Sequence, residues 1–375
     1  MGLDPSESLG EALASVHPEL EAVRAAAREP VYLVGGAVRD LLLGRGRADV
    51  DLVVEGDAAA LAERLGADPL SHERFATAKV HLDGHEVDIA SARSESYPRP
   101  GALPVVEPAA GVEEDLGRRD FTINAMAIPL RGDPALLDPH GGRADLEAGL
   151  LRVLHARSFA DDPTRAIRAA RYAARYGFEL EAGTAALLRA ADLSAVSADR
   201  RQAELRRLAA EPEAPRALVL LGEWGLARLR PGGAELAGRV AALLAEPLWR
   251  GEAPREAALL AAALGPAGGE EALAAARPER PSEAVALAAR REVVELALAR
   301  ALGAEWLDRY LAEWRGIALE IDGADLLRAG VPQGPAVGRG LQEALGRKLD
   351  GEIDGREEEL AAALAAAAGD GDGVA

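Results

Sequence analysis

Two aspartates, Asp49 and Asp51, lie two positions apart in an apolar run that is typical of a β-strand. Residues two apart on a strand point to the same face of the sheet, so the two carboxylates would stand side by side. Neighbouring anions repel unless one is protonated or a cation lies between them, and Mg²⁺ is the usual partner of hard oxygen ligands. The pair therefore indicates a magnesium site, although Asp-x-Asp is also common at solvated strand ends.

A glycine pair precedes this strand and follows another short apolar run. Gly35 and Gly36 have no Cβ, which allows backbone N–H groups to approach a phosphate where a helix begins. Arg39 lies one helical turn further on and could reach the same phosphates. Residues 31–55 thus predict strand, glycine turn, helix and strand, a layout suited to metal-assisted nucleotide transfer. Gly-Gly alone is usually only a turn, so the prediction depends on the combination.

Two further strands are predicted at residues 76–82 and 86–90, joined by Asp83-Gly84, which is a strong hairpin signal. Asp88 on the second strand could be a third catalytic carboxylate beside Asp49 and Asp51. It could equally hold Arg39 or Arg93 as a structural partner, and the sequence favours neither role.

The segment from residue 94 to 115 contains four prolines and two glycines. This composition predicts neither a helix nor a central strand. Loops of this length inside a compact domain are usually functional or disordered, and the apolar content favours a loop that folds over a ligand.

Three polar side chains follow that segment closely in the chain. Arg119 could pair with a triphosphate, while Asp120 and Asn124 could bind ribose hydroxyls and so favour ribonucleotides. A buried structural pair between Arg119 and Asp120 is the alternative interpretation.

Asp162, Arg165, Arg168 and Arg171 recur every third residue along a predicted helix that starts near Pro163. Asp162 would accept from an exocyclic amino group and Arg165 would donate to a ring nitrogen, which both cytosine and adenine offer side by side. Uracil and guanine would leave buried polar groups unpaired, which can discriminate by ~10⁴ or more. Arg168 and Arg171 would complete an anion pocket. Ordinary i,i+3 ion pairs on a solvated helix face are the alternative.

Composition narrows the class of protein. The chain has 375 residues, which predicts two or three domains, and its net charge of −19 argues against a generic nucleic-acid binder. It has no cysteine, which excludes disulfides, zinc-thiolate sites and thiol nucleophiles. No apolar run approaches ~20 residues free of charge. We therefore expect a cytoplasmic protein without membrane association, and no stable protein partner is evident.

The motifs GGAVRD with DVD, RRDFTINAMA, DPHGGRADL and DPTRAIRAARY together resemble the polymerase-beta-like nucleotidyltransferases. They resemble more closely the class II tRNA nucleotidyltransferases and bacterial poly(A) polymerases. The resemblance implies an α+β fold, with a nucleotidyltransferase head that carries a small mixed sheet, followed by an all-helical neck, body and tail. The implied bounds are 1–144 for the head, 145–215 for the neck, and 216–375 for the body and tail.

The resemblance also implies a function. It predicts template-independent addition of C and/or A from CTP and ATP to the 3′ end of tRNA, by two-metal transfer with Mg²⁺ and release of pyrophosphate. In this family a flexible loop at 94–115 is needed to add the terminal adenosine. Asp161 replaces the family's usual glutamate beside the Asp162 and Arg165 pair.

Several alternatives share these motifs. They are an A-adding or a CC-adding specialist, a poly(A) polymerase, and a catalytically inert RNA-binding relative. All six histidines lie at or before His155, so we expect no appended phosphohydrolase domain.

Overall fold

The computed structural model describes residues 8–46, 49–66 and 77–368. Three predicted features lie partly outside the described residues: a helical pattern at 5–28, the strand at 76–82 and a tail at 367–375. The chain divides into two compact units, Met1–Ala227 and Arg228–Ala375. The finer division at residues 144 and 215 stays a prediction.

The strands all belong to the first unit. In chain order they are β1 (Val31–Val34), β2 (Val50–Val54), β3 (Thr77–Leu82), β4 (His85–Ser91), β5 (Arg93–Ser96), β6 (Val105–Pro108), β7 (Ala127–Pro129), β8 (Leu150–Leu151) and β9 (Glu179–Leu180).

The first unit also contains helices before, between and after these strands. They are α1 (Leu9–Val16), α2 (Leu20–Ala26), α3 (Gly36–Leu42), α4 (Ala58–Arg64), α5 (Val112–Gly117), α6 (Gly142–Ala148), α7 (Ser158–Asp161), α8 (Thr164–Tyr176), α9 (Ala182–Leu188), α10 (Ala198–Ala210) and α11 (Ala214–Glu223). Short 3₁₀ turns lie at Thr122–Asn124 and Leu193–Ala195.

The central sheet has the strand order β3-β4-β2-β1-β7. Strands β2 and β4 run parallel, and the other neighbours are antiparallel. Leu33 and Leu52 are register partners and are almost fully buried, so the apolar runs predicted as strands form the middle of the sheet. This small mixed sheet, followed by mostly helical structure, confirms the predicted fold class. The prediction of an all-helical neck was wrong, because β8 and β9 form a short parallel pair within residues 145–215.

The predicted hairpin turn is also confirmed. Asp83 and Gly84 both have positive φ, +50° and +80°, as a two-residue turn of this type requires. The turn pairs β3 with β4. On its other side β4 pairs with β2, which brings Asp88 opposite Asp51 in the parallel register.

The prediction for residues 94–115 was partly wrong. Strands β5 and β6 form a separate two-stranded sheet, and α5 already begins at Val112. The prolines lie in the connection and at Pro108, where β6 ends. The acidic first turn of α5 suits a helix N-terminus, and Val112 and Leu116 anchor the helix in the core.

Helix α8 carries the three arginines that the sequence predicted for the site, Arg165, Arg168 and Arg171. Its apolar side, which includes Ala166, Ile167 and Ala170, is fully buried. The helix ends at Gly177, whose φ of +72° favours glycine.

In residues 228–368 the second unit consists of helices joined by turns and loops, without strands. Its helices are α12 (Gly233–Leu243), α13 (Arg255–Leu264), α14 (Gly269–Ala275), α15 (Pro281–Ala288), α16 (Val293–Ala301), α17 (Trp306–Arg309), α18 (Gly323–Arg328), α19 (Pro335–Leu349) and α20 (Gly355–Ala368), with a π-helical turn at Tyr310–Trp314. None of the helices in the described parts of either unit has the length and apolar character that a membrane crossing requires.

Candidate active site

A polar cavity of about 610 Å³ lies in the first unit, between the sheet and helices α8 and α10. Twelve of the thirteen predicted site residues line it, and Asp88 is the exception. The twelve are Gly35, Gly36, Arg39, Asp49, Asp51, Arg119, Asp120, Asn124, Asp162, Arg165, Arg168 and Arg171.

Three carboxylates come together on the neighbouring strands β2 and β4. Asp49 directly precedes β2, and Asp51 faces Asp88 across the parallel register. The surrounding protein raises the pKa of the Asp51 carboxyl, although this position of β2 is exposed. Arg119 opposes that rise, and the negative charges of Asp88 and Asp49 add to it. Negative charge is therefore crowded at Asp51, as the sequence predicted.

Asp88 has a cationic neighbour that the sequence analysis did not consider. Lys79 Nζ lies 3.4 Å from its carboxylate, and the same amine also bonds Glu86. The two partners considered as alternatives bind elsewhere, because Arg39 bonds Asp40 and Arg93 pairs with Glu95. The catalytic role of Asp88 stays a prediction.

Asp49 and Asp51 could supply some, but not all, of the ligands of a divalent cation. In the described ranges no group of three or more His, Cys, Asp or Glu side chains is arranged to hold a metal ion. Asp49 and Asp51 offer hard oxygen ligands, and Mg²⁺ in phosphate-transfer sites is commonly held by one or two carboxylates, with substrate phosphates and water as the remaining ligands. The donor set therefore suits a metal ion that arrives with a nucleotide.

The glycine turn is packed against Arg119. Gly35 has a φ of +67°, and a Cβ there would lie 2.8 Å from an Arg119 guanidinium nitrogen. Only glycine fits at this position. The N–H of Gly35 donates to the Met126 carbonyl at 3.4 Å, so its predicted contact with phosphate stays a prediction.

Asp115 fixes Arg119 and was missed in the sequence. Its carboxylate is completely buried and accepts from Arg119 at 3.0 Å and from Arg118 at 2.8 Å. The spacing of three and four residues on one helical turn was an available signal, but the segment had been interpreted as a loop.

Arg39 is held inside the protein. The residue is 4% exposed, donates to Asn124 Oδ1 at 2.5 Å and to Asp40 at 2.9 Å, and lies 4.5 Å from the ring centre of Tyr176. Arg39 therefore orients Asn124, whose amide in turn donates to Asp120 at 2.9 Å. Direct contact of Arg39 with a phosphate stays a prediction.

Asp120 is paired across the chain with Arg168. The Nε of Arg168 donates to Asp120 at 2.8 Å, and the aspartate is 7% exposed. Burial opposes ionisation of this carboxyl, but the Arg168 charge and the Asn124 amide outweigh it and lower the pKa to about 2. The alternative structural pair, Arg119 with Asp120, is not what the structure shows, since each has another partner.

The two residues predicted to read the base are each held by other groups. Asp162 Oδ1 accepts from the Thr164 backbone at 3.1 Å, the Thr164 hydroxyl at 2.6 Å and Arg200 at 3.1 Å. Arg165 donates to Ser158 Oγ at 2.6 Å and to the Arg118 carbonyl at 2.7 Å. Both line the cavity rather than a solvated helix face.

Three neighbouring residues also have partners in the structure. Asp161 pairs with Arg157 at 2.9 Å. Glu204, on α10, is 7% exposed, lines the cavity and pairs with Arg207. Arg201, on the same helix, donates to the Leu193 carbonyl at 3.2 Å.

The cavity also contains residues that the sequence analysis did not identify. They are Glu95, Tyr97, Arg118, Thr164, Tyr172, Arg175, Glu204 and Glu211. Glu95 links two of them, because it accepts from Tyr97 at 3.1 Å and from Arg118 at 2.8 Å. Seven arginines and seven carboxylates line the cavity, so a cation bound at Asp49 and Asp51 would leave net positive charge for a polyphosphate.

A small mixed sheet with paired carboxylates beside a glycine turn and clustered arginines defines a nucleotidyltransferase. Residues 31–152 match the model of the Poly A polymerase head domain. A CC-adding tRNA nucleotidyltransferase of Deinococcus radiodurans is 38% identical over 361 residues, covering 90% of each chain. The chain therefore belongs to the class II CCA-adding tRNA nucleotidyltransferase family, which confirms the predicted enzyme class.

Two further similarities agree with this membership. An A-adding tRNA nucleotidyltransferase of Halalkalibacterium halodurans is 45% identical over 201 residues, which is 50% of this chain and 46% of that relative. The match thus spans about half the length of that relative. A CCA-adding enzyme structure, apo form II, is 29% identical with a TM-score of 0.82, covering 96% of this chain and 99% of the other. Members of this family use a divalent metal ion.

Proposed function

We propose that the protein transfers CMP and/or AMP from CTP and ATP to the 3′ end of tRNA and releases pyrophosphate. The observation that carries the proposal is the single cavity that holds both the Asp49 and Asp51 carboxylates and the Asp162 and Arg165 pair. Solved structures similar to this chain include complexes with tRNA, with ATP and with CTP. A tRNA substrate would place the protein in the cytoplasm.

Asp162 and Arg165 select the base in this proposal. The Oδ2 of Asp162 receives no donor from the described residues that contact this side chain, so it is available to an amino group of cytosine or adenine. Arg165 keeps donors beyond the two that it uses, and these can reach a ring nitrogen. Uracil and guanine would place acceptor against acceptor and donor against donor.

The remaining residues hold the sugar and the triphosphate. Asp120, kept ionised by Arg168, accepts from a ribose hydroxyl together with Asn124. Arg119 and Arg171 neutralise the phosphates, and Gly36 begins the helix beside them.

Asp49 and Asp51 hold the metal ion, with Asp88 as a third carboxylate beside them. We propose Mg²⁺, since the ligands are carboxylates and phosphates. When bound, Mg²⁺ activates the attacking 3′ hydroxyl and stabilises charge on the leaving pyrophosphate.

The proposal is tested by incorporation of labelled CTP and ATP, separately and together. The acceptors are tRNAs that end before the tail, after its first C and after its second C. Addition of all three nucleotides identifies a complete CCA-adding enzyme. Addition of A only to the CC end identifies an A-adding specialist, and arrest after two C residues identifies a CC-adding one.

Two other results would overturn the proposal. A long A tract on any RNA would mean a poly(A) polymerase. No transfer to any acceptor with Mg²⁺ present, but intact tRNA binding, would mean an inert RNA-binding relative.

A further inference from the structure

Arg200, on α10, joins three parts of the first unit. One of its terminal nitrogens lies 3.1 Å from Asp162 Oδ1. The other donates to the Gly101 carbonyl at 2.8 Å. Gly101 belongs to the connection between β5 and β6, so one guanidinium bridges this loop and the carboxylate proposed to read the base.

At Gly101 the loop packs closely against the end of α7 and against Ala195. The N–H of Gly101 donates to the carbonyls of Ala160 and Asp161 at 3.2 and 3.3 Å, at the end of α7. Gly101 has a φ of +68°, and a Cβ there would lie 2.4 Å from the Ala195 carbonyl oxygen. Any other residue would therefore displace the loop from α7 and from Arg200.

The hydrogen bonds to Asp162 fix the orientation of its carboxylate. All three donors to this carboxylate, from Thr164 and Arg200, meet Oδ1. Such a carboxylate cannot rotate without breaking a charge-assisted hydrogen bond, so Oδ2 keeps one direction in the cavity. The Thr164 bonds are local to the start of α8, whereas Arg200 is the one charged donor among these three.

We propose that Arg200 is a positioning residue for nucleotide selection: it fixes the Asp162 carboxylate and ties that orientation to the seated β5–β6 loop. The inference rests on the proposed function, because Asp162 must read the base. Loss of Arg200 frees the carboxylate to turn, so an incoming base that offers an acceptor meets a weaker penalty. Selectivity then falls, while the metal and triphosphate residues keep their positions.

The test compares kcat/KM for CTP against UTP and for ATP against GTP, on the tRNA acceptors that the wild-type protein extends. Arg200→Met is expected to lower the selectivity ratio about tenfold, the usual scale for a charge-assisted hydrogen bond. Arg201→Met is the matched control on the same helix, because Arg201 contacts the Leu193 carbonyl and does not line the cavity. Its ratio should equal that of the wild type.

A double substitution separates positioning from a general structural effect. In an Asp162→Asn background, Arg200→Met should not lower the ratio further, since Arg200 acts through that carboxylate. A further tenfold fall would overturn the inference. An unchanged ratio in Arg200→Met alone would overturn it as well.

If Arg200→Met does not fold, Gly101→Ala decides, because it displaces the loop from Arg200 although Gly101 itself does not line the cavity. A lower ratio supports the inference, and a wild-type ratio overturns it. A wild-type protein that extends no tRNA would refute the proposed function instead, so the two failures are distinguishable.

Discussion

Replacing Arg168 by methionine should destabilise the first unit in a way that depends on pH. Asp120 is 7% exposed and keeps only two other donors, the Phe121 backbone N–H and the Asn124 amide, each at 2.9 Å. Methionine preserves much of the arginine stem but removes the charge. Asp120 would then be a buried carboxylate without its cationic partner.

The magnitude follows from the lowered pKa of Asp120. A folded-state pKa of about 2, against an ordinary value of 3.8, corresponds to about 2 kcal/mol of stabilisation at neutral pH. Because the folded-state value is depressed, the stabilisation is complete above about pH 5 and is lost as pH falls towards 2, with roughly half remaining at pH 3. With lost packing of the arginine stem, we expect Arg168→Met to cost about 2 to 4 kcal/mol at pH 7.

Urea unfolding followed by circular dichroism at pH 7 and at pH 3 measures both effects. Hydrogen exchange within α8 assigns them to the first unit, which matters because a chain of two units need not unfold in one step. Arg175→Met is the matched control on the same helix. Its side chain is 39% exposed, with carboxylate partners at 3.5 and 3.7 Å, so it should cost less than about 1 kcal/mol.

Two results would refute this reasoning. One is a stability of Arg168→Met at pH 7 equal to that of Arg175→Met. The other is an Arg168→Met deficit as large at pH 3 as at pH 7, because the Asp120 contribution should then be about half lost.

Three further substitutions test separate parts of the cavity. Asp51→Ala should abolish nucleotide incorporation but leave tRNA binding nearly intact in a filter-binding assay, and substantial residual transfer would contradict the metal assignment. Arg165→Ala should make UTP or GTP usable in the incorporation assay, and an unchanged preference among the four nucleotides would contradict the base-reading role. Asp115→Asn should weaken binding of CTP and of ATP alike, about tenfold, because Arg119 loses its charged partner. Calorimetry checks this last result, and a change confined to one base would argue against it.

Local patterns in the sequence predicted most of the fold. Apolar runs flanking Gly35-Gly36 and Asp83-Gly84 gave strands and turns, since the alternation of buried residues and the turn chemistry are both local properties. The prediction for residues 94–115 was partly wrong because the four prolines were taken to exclude regular structure from the whole segment. The prolines lie before or at the end of β6, and the helix begins only at Val112.

The residues that line the site could be predicted from the sequence, but the hydrogen bonds between them could not. The resemblance to the nucleotidyltransferases implied that Asp120 and Arg168 belong to one nucleotide site, although 48 positions separate them. It did not show that they bind each other, or that Arg39 holds Asn124 across 85 positions. Such contacts depend on how α8 packs against the sheet, and no single stretch of sequence contains that information.

The missed contacts bear directly on selectivity. A protein pair can stand in for a base edge only if its atoms cannot adjust to the wrong base. Asp162 meets this requirement because three donors occupy Oδ1, and Arg165 meets it because Ser158 and the Arg118 carbonyl fix its guanidinium. In the proposed function Asp162 and Arg165 supply the atoms that touch the base, but the rigidity that would make those atoms selective comes largely from residues outside the pair. Substitutions at those outer residues should therefore change which nucleotide is accepted more than how fast the correct nucleotide reacts.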